Sequence, residues 1–232
     1  MNAGKRRKRI VIEALIISYD LDGTLVDSIP DITLSMNKTL DEAGLPHMTA
    51  GQMKVFVGNG IPTMVERALK AALAQAQAEK DFKTLYTTIL ERYKIHYEAH
   101  CTVETRLYTG VREILDHFSD KTQVLITNKA ENITRKILKY FGLEDYFSVV
   151  VGGDTLTEKK PHPDVIRHVW DKIGREGLLC HVGDSPVDVK TAKDTGNIAV
   201  AATWGYSSRR ELMDAGPDFL VDHLNELKEI IA

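Results

Sequence analysis

The sequence predicts an α/β protein built on a parallel sheet, with an all-helical insertion after the first strand. Three observations lead there. Short apolar, β-branched runs alternate with segments of helical period, the pattern of a parallel sheet covered on both faces. Several runs stop abruptly at polar clusters: Asp20-Leu21-Asp22-Gly23-Thr24, Thr127-Asn128 and Gly183-Asp184-Ser185. Between Pro30 and about Cys101 the pattern is helical throughout, with no strand signal. Residues 1–28 and 105–232 are therefore expected to form a Rossmann-like core, and residues 29–104 a helical block inserted into it.

The elements follow in order. Ala14 to Tyr19 is apolar and ends at Asp20, as a buried parallel strand does. Ile32, Met36, Leu40 and Ala43 share one helical face; Pro30 and Asp31 suit the first turn, and Gly44 the stop. Ile61, Met64, Val65, Ala68, Leu69 and Ala72 form a second stripe, and Leu85, Ile89 and Tyr93 a third. Past Tyr108-Thr109-Gly110, helices are predicted over 111–118, 132–140, 163–173 and 186–194. Strands are predicted over 123–127, 148–151, 178–182 and 198–202.

Composition narrows the function classes. The 232 residues carry 30 Lys and Arg against 33 Asp and Glu, a formal charge of −3, too balanced for a dedicated nucleic-acid binder. Lys5-Arg6-Arg7-Lys8-Arg9 precedes an apolar run from Ile10 to Tyr19 that contains Glu13. That run falls short of the roughly 20 apolar residues that cross a bilayer. It reads as a strand behind a solvated basic arm over residues 1–9, with no membrane partner. Cys101 and Cys180 read as free thiols of a cytoplasmic protein. A homodimer is left open.

In open α/β sheets, ligands bind beyond the carboxyl ends of the strands. Those ends supply Asp20, Asp22, Thr127, Asn128, Asp184 and Asp188, with Lys160 in a nearby loop. Carboxylates this crowded need a cation, and hard oxygen ligands favour Mg2+. Charge counting agrees. With Asp22 protonated, Asp20, Asp184 and Asp188 bring about −3, which Lys160 and Mg2+ offset, leaving a neutral seat for a phosphate dianion. Each motif alone has a plainer reading: Asp-Gly in a turn, Thr127-Asn128 as a helix cap, Asp188 as an exposed first-turn residue. His96, His100 and Cys101 resemble a metal cluster, but no further ligand pair accompanies them.

The four motifs together resemble the haloacid dehalogenase superfamily. Asp20 to Ser28 is similar to its first motif, Thr127-Asn128 to its second, Lys160-Pro161-His162-Pro163 to its third, and Gly183 to Asp188 to its fourth, in the expected order. The resemblance runs from about Leu15 to the C-terminus. Val57-Gly58-Asn59-Gly60, Val65 to Leu69 and Trp204-Gly205-Tyr206 further resemble bacterial phosphoglycolate phosphatases. Tyr19, where the family usually has Phe, and Thr109, where Pro often precedes the Gly, depart from the pattern.

The resemblance implies a Mg2+-dependent phosphatase acting on a small-molecule phosphate ester. Asp20 would be the nucleophile and Asp22 the general acid and base. Thr127 and the Asn128 amide would hold the phosphoryl oxygens, and Lys160 would neutralise charge. Asp20, the Asp22 carbonyl and Asp184 would bind the metal, with Asp188 behind them. Gly58, Asn59 and Gly60 would meet the rest of the substrate, for which 2-phosphoglycolate is the leading candidate. A phosphosugar mutase, a broad sugar phosphatase or pyrophosphatase, and a non-catalytic binding protein are the alternatives. The mutase is disfavoured because Ile29 to Leu40 contains no His and the insertion loop contains no Arg.

Overall fold

A computed structural model describes residues 11–77, 81–174 and 177–232. The basic arm expected over residues 1–9 lies outside them. In chain order, β1 (Ile16–Tyr19) leads into β2 (Val26–Asp27). The helices α1 (Ile29–Glu42), α2 (Ala50–Phe56), α3 (Ile61–Ala76) and α4 (Phe82–His100) follow, and then β3 (Arg106–Leu107). The chain continues through α5 (Val111–His117), β4 (Thr122–Ile126), α6 (Glu131–Phe141), β5 (Val149–Val151) and α7 (Asp164–Ile173). It ends with β6 (Leu179–Gly183), α8 (Pro186–Lys193), β7 (Ile198–Ala202), α9 (Arg209–Asp214), β8 (Phe219–Val221) and α10 (Leu227–Ile230).

Six strands form one sheet in the order β5-β4-β1-β6-β7-β8, parallel at every pairing. All four residues of β1 are buried, which is why its sequence shows no alternation of apolar and charged residues; its one small polar side chain, Ser18, is paired with His181. β1 sits between β4 and β6, so the polar residues after these three strands converge on one rim. That adjacency positions the site.

The stretch between β2 and β3 is helical, as expected. Met36 and Leu40 of α1, Val65 and Leu69 of α3, and Ile89 and Tyr93 of α4 are buried together, so the three predicted stripes meet face to face. α2 is a helix the periodicity did not predict. Its start is a capping box in which the Thr49 side chain accepts from the Gln52 amide and the Gln52 side chain accepts from the Thr49 amide. The two chain crossings are pinned to each other. β2 pairs antiparallel with β3, and the buried Asp31 carboxylate accepts from the amides of Glu104 and Thr105 at 2.8 Å each. β8 and α9 also lie beyond the predicted elements.

Candidate active site

Asp20 leaves β1 with its amide donating to the Val182 carbonyl at 2.9 Å, so the sheet holds its backbone. The chain then turns sharply: the Leu21 carbonyl accepts from Leu25 and Val26, and Gly23 donates to Val26 at 2.8 Å. Gly23 has φ +81°, a conformation open to glycine, and a Cβ there would lie 2.2 Å from Asp184 Oδ2. On the other side, a Cβ on Gly205 would lie 2.2 Å from Asp184 Cβ. Two glycines therefore make the slot for the Asp184 carboxylate, and the Tyr206 amide fixes it at 2.6 Å.

Lys160 is buried between two carboxylates, its Nζ 2.9 Å from Asp20 Oδ1 and 2.6 Å from Asp188 Oδ1. The neighbouring Lys159 points elsewhere. Asp188 stands at the start of α8, where Ser185 donates to it through its amide at 3.1 Å and its hydroxyl at 2.5 Å. His181 Nε2 lies 3.2 Å from Asp188 Oδ1, and its Nδ1 pairs with Ser18 Oγ at 2.9 Å. His181 is thus part of the support behind Asp188.

The electrostatics follow from this geometry. Burial raises Asp20, and the Asp188 and Asp22 carboxylates add to the rise despite Lys160. Burial, then Asp188 and Asp20, push Asp184 well above the usual carboxylate range. For Asp188 burial also acts upward, but Lys160 and His181 outweigh it and hold the group ionised. Burial would lower Lys160, and Asp188 and Asp20 overcome it.

Asp20, Asp184 and Asp188 each place an oxygen within 4.8 Å of the others, the one such group of three among the described residues. The set fits a hard divalent cation, because a positive charge would relieve the buried Asp184. Asp188 gives one oxygen to the buried Lys160 at 2.6 Å and the other to Ser185, whereas Asp184 Oδ1 meets the Thr24 hydroxyl at 3.4 Å, the longer and weaker contact. His96 instead pairs with Glu42 at 2.9 Å.

Asp22 stands apart from that cluster. Lys129 Nζ contacts its two oxygens at 2.9 and 2.8 Å, and Ser28 Oγ donates at 2.5 Å. Sequence reasoning missed Lys129. Its signal was position: it follows Thr127-Asn128 and precedes the helix beginning at Glu131, so it belongs to the rim.

Thr127 and Asn128 line the pocket with Gly58 and Gly60. The Asn128 side chain donates to the carbonyls of Gly58 at 3.0 Å and Lys160 at 3.1 Å, and Lys159 Nζ donates to the Asn59 carbonyl at 2.7 Å. The loop expected to meet the rest of the substrate is docked on the core through its Gly58 and Asn59 carbonyls. Asn59 is not among the residues lining the pocket. Ile32, Val57, Ile61, Met64 and Tyr93 add apolar surface to the lining of the same pocket.

The model of the haloacid dehalogenase-like hydrolases matches residues 17–202. The chain belongs to that family. Among its relatives is a phosphoglycolate phosphatase of Chromobacterium violaceum, 37% identical over 221 residues, 93% of this chain and 95% of the relative. Another, from Haemophilus influenzae, is 34% identical over 93% of this chain and 97% of the relative. A crystal structure of a predicted phosphoglycolate phosphatase from Haemophilus somnus superposes on this hydrolase with a TM-score of 0.88 at 30% identity, covering 93% of this chain and 97% of that one. No helix among the described residues is long and apolar enough to cross a membrane.

Proposed function

We propose that this phosphoric monoester hydrolase cleaves 2-phosphoglycolate to glycolate and phosphate through an aspartyl phosphate on Asp20, with Mg2+ as cofactor. One observation carries the reading: a buried lysine joins Asp20 to Asp188, and Asp20 and Asp184 line one pocket with Asp22, Thr127 and Asn128. The names borne by the relatives support the choice of substrate.

Asp20 attacks phosphorus, a P–O bond forms, and the ester P–O bond breaks. Asp22 gives its proton to the departing alkoxide, then takes one from the water that attacks the phosphoenzyme and frees Asp20. The Thr127 hydroxyl and the Asn128 amide hold phosphoryl oxygens. Lys160 offsets charge between nucleophile and phosphate, and Asp188 orients Lys160. Asp20, the Asp22 carbonyl and Asp184 hold Mg2+, which supplies Lewis-acid neutralisation of the phosphoryl charge when bound. Residues 29–104 act as a closing cap over the core, and the loop Gly58-Asn59-Gly60 shapes the space for the rest of the substrate.

Phosphate release across a panel of small esters tests this. The highest kcat/KM is expected for 2-phosphoglycolate, with activity abolished by excess chelator and absent in Asp20→Asn. Full turnover with chelator present would overturn the metal assignment. A sugar phosphate or pyrophosphate at the head of the ranking would overturn the substrate.

A further inference from the structure

Lys129 is more deeply placed than a lysine needs to be to serve as a surface charge. Its side chain is 3% exposed and all three ammonium donors are engaged: two on Asp22 and one on the Tyr97 hydroxyl at 2.5 Å. The ammonium also sits 4.7 Å from the centre of the Tyr97 ring, which stacks on Tyr93. Tyr97 belongs to α4 of the helical insertion, whereas Lys129 follows β4 of the core. Among the described residues that line the pocket, the cations are Lys129 and the exposed Lys54.

We infer that Lys129 is the specificity determinant for a carboxylate on the substrate, binding it at one of the donors now spent on Asp22. The inference rests on the phosphatase reading above and deepens it. Two donors on a single carboxylate are one more than are needed to hold it, so a second carboxylate can take one without stripping Asp22 of its partner. The spacing then limits the substrate. An ester oxygen within one hydrogen bond of Asp22 lies no more than two hydrogen-bond lengths, roughly 5.5–6 Å, from Lys129 Nζ. A carboxylate joined to that oxygen through one carbon falls inside this range and reaches the ammonium. A longer or branched acid would place its charge elsewhere in the pocket, among lining side chains such as Ile32 and Met64 that have no donor to offer it. Because Tyr97 helps hold the ammonium, the carboxylate is read only while the insertion lies over the core.

The test compares kcat/KM for 2-phosphoglycolate with that for 2-hydroxyethyl phosphate, which has CH2OH where the other has a carboxylate. Wild-type protein should favour the acid. In Lys129→Gln the ratio should fall by roughly 30–100-fold, the loss of one charge-assisted contact, and Lys129→Arg should recover part of it. Rates on both esters should also fall together because Asp22 loses its partner; the ratio is insensitive to that common loss. If Lys129→Gln does not fold, Tyr97→Phe removes the hydroxyl alone and should reduce the ratio by about 3–10-fold. A folded Lys129→Gln with the wild-type ratio overturns the inference while leaving the substrate assignment standing. So does a ratio that collapses in Lys54→Met and not in Lys129→Gln, and so does an unchanged ratio in Tyr97→Phe where that variant is the one measured. A wild-type ratio near one removes the proposed substrate itself, and the inference with it.

Discussion

Asp184 occupies space that side chains at Gly23 and Gly205 would fill. At Gly205 the backbone is not in the left-handed region, so an alanine there is objectionable only for its methyl group. Gly205→Ala should therefore displace the carboxylate or the loop that carries Tyr206, at an overpacking cost of about 1–3 kcal/mol. The expected outcome is a lower Tm and a higher Mg2+ concentration for half-maximal activity; titrating activity against Mg2+ checks it. Asp22→Asn has a second consequence besides removing the proposed acid, for it takes from buried Lys129 the carboxylate it contacts. A drop of roughly 10²–10⁴-fold in kcat is expected from the lost proton transfer. Breaking the buried pair should lower stability by about 3–5 kcal/mol, visible in denaturant melts. The sequence announced Asp22 but not this dependence. Lys129 reads as an ordinary rim cation until β4 is known to lie beside β1.

Among the elements, α1 and α4 are joined at the surface by Glu42. Arg92 contacts both of its oxygens, at 2.6 and 2.7 Å, and His96 pairs with it as well. The hydrogen bonds from Arg92 and then His96 lower the Glu42 carboxyl to about 2. A carboxyl depressed in the folded state stabilises the fold above its unfolded pKa, near 4.3, and loses that contribution as pH falls towards the folded value. Glu42→Gln should therefore lower Tm at neutral pH, and the gap from wild type should close as pH falls from about 4.5 towards 2. Thermal melts across that range check it. Element signals differ in legibility for physical reasons. β1, β4, β6 and β7 are buried on both faces and end in polar residues, so composition alone marks them. β2 and β3 have two residues each, too few for any period, and β8 is a three-residue edge strand. α2 offered its capping box at Thr49 and Gln52, a signal carried by side-chain chemistry rather than by a long apolar stripe.

Across the whole molecule, insertion and core are fastened at the pocket by Asn128 on Gly58, Lys159 on Asn59 and Lys129 on Tyr97. Gly60 is a poor place to test this fastening, because φ +83° strains any side chain there. Lys159→Met removes one fastener and leaves the loop backbone alone. KM for the preferred ester should rise by about 2–10-fold with the fold intact, as measured by steady-state kinetics and circular dichroism. The sequence placed the candidate carboxylates and Lys160 on one rim because strand ends in a parallel sheet share a side. It could not show which loop carbonyls the lysines would reach, since that depends on how the insertion leans. The order of the sheet has a further consequence, in time rather than in space. β1 is made well before its partners, since it pairs with β4 from Thr122 and with β6 from Leu179. During synthesis it waits with both edges bare, a state prone to wrong pairings and slow to resolve. A ribosome-bound chain that ends before β6 thus carries Asp20 without the strand that supports it, and the proposed nucleophile is set in place only once β6 has been made.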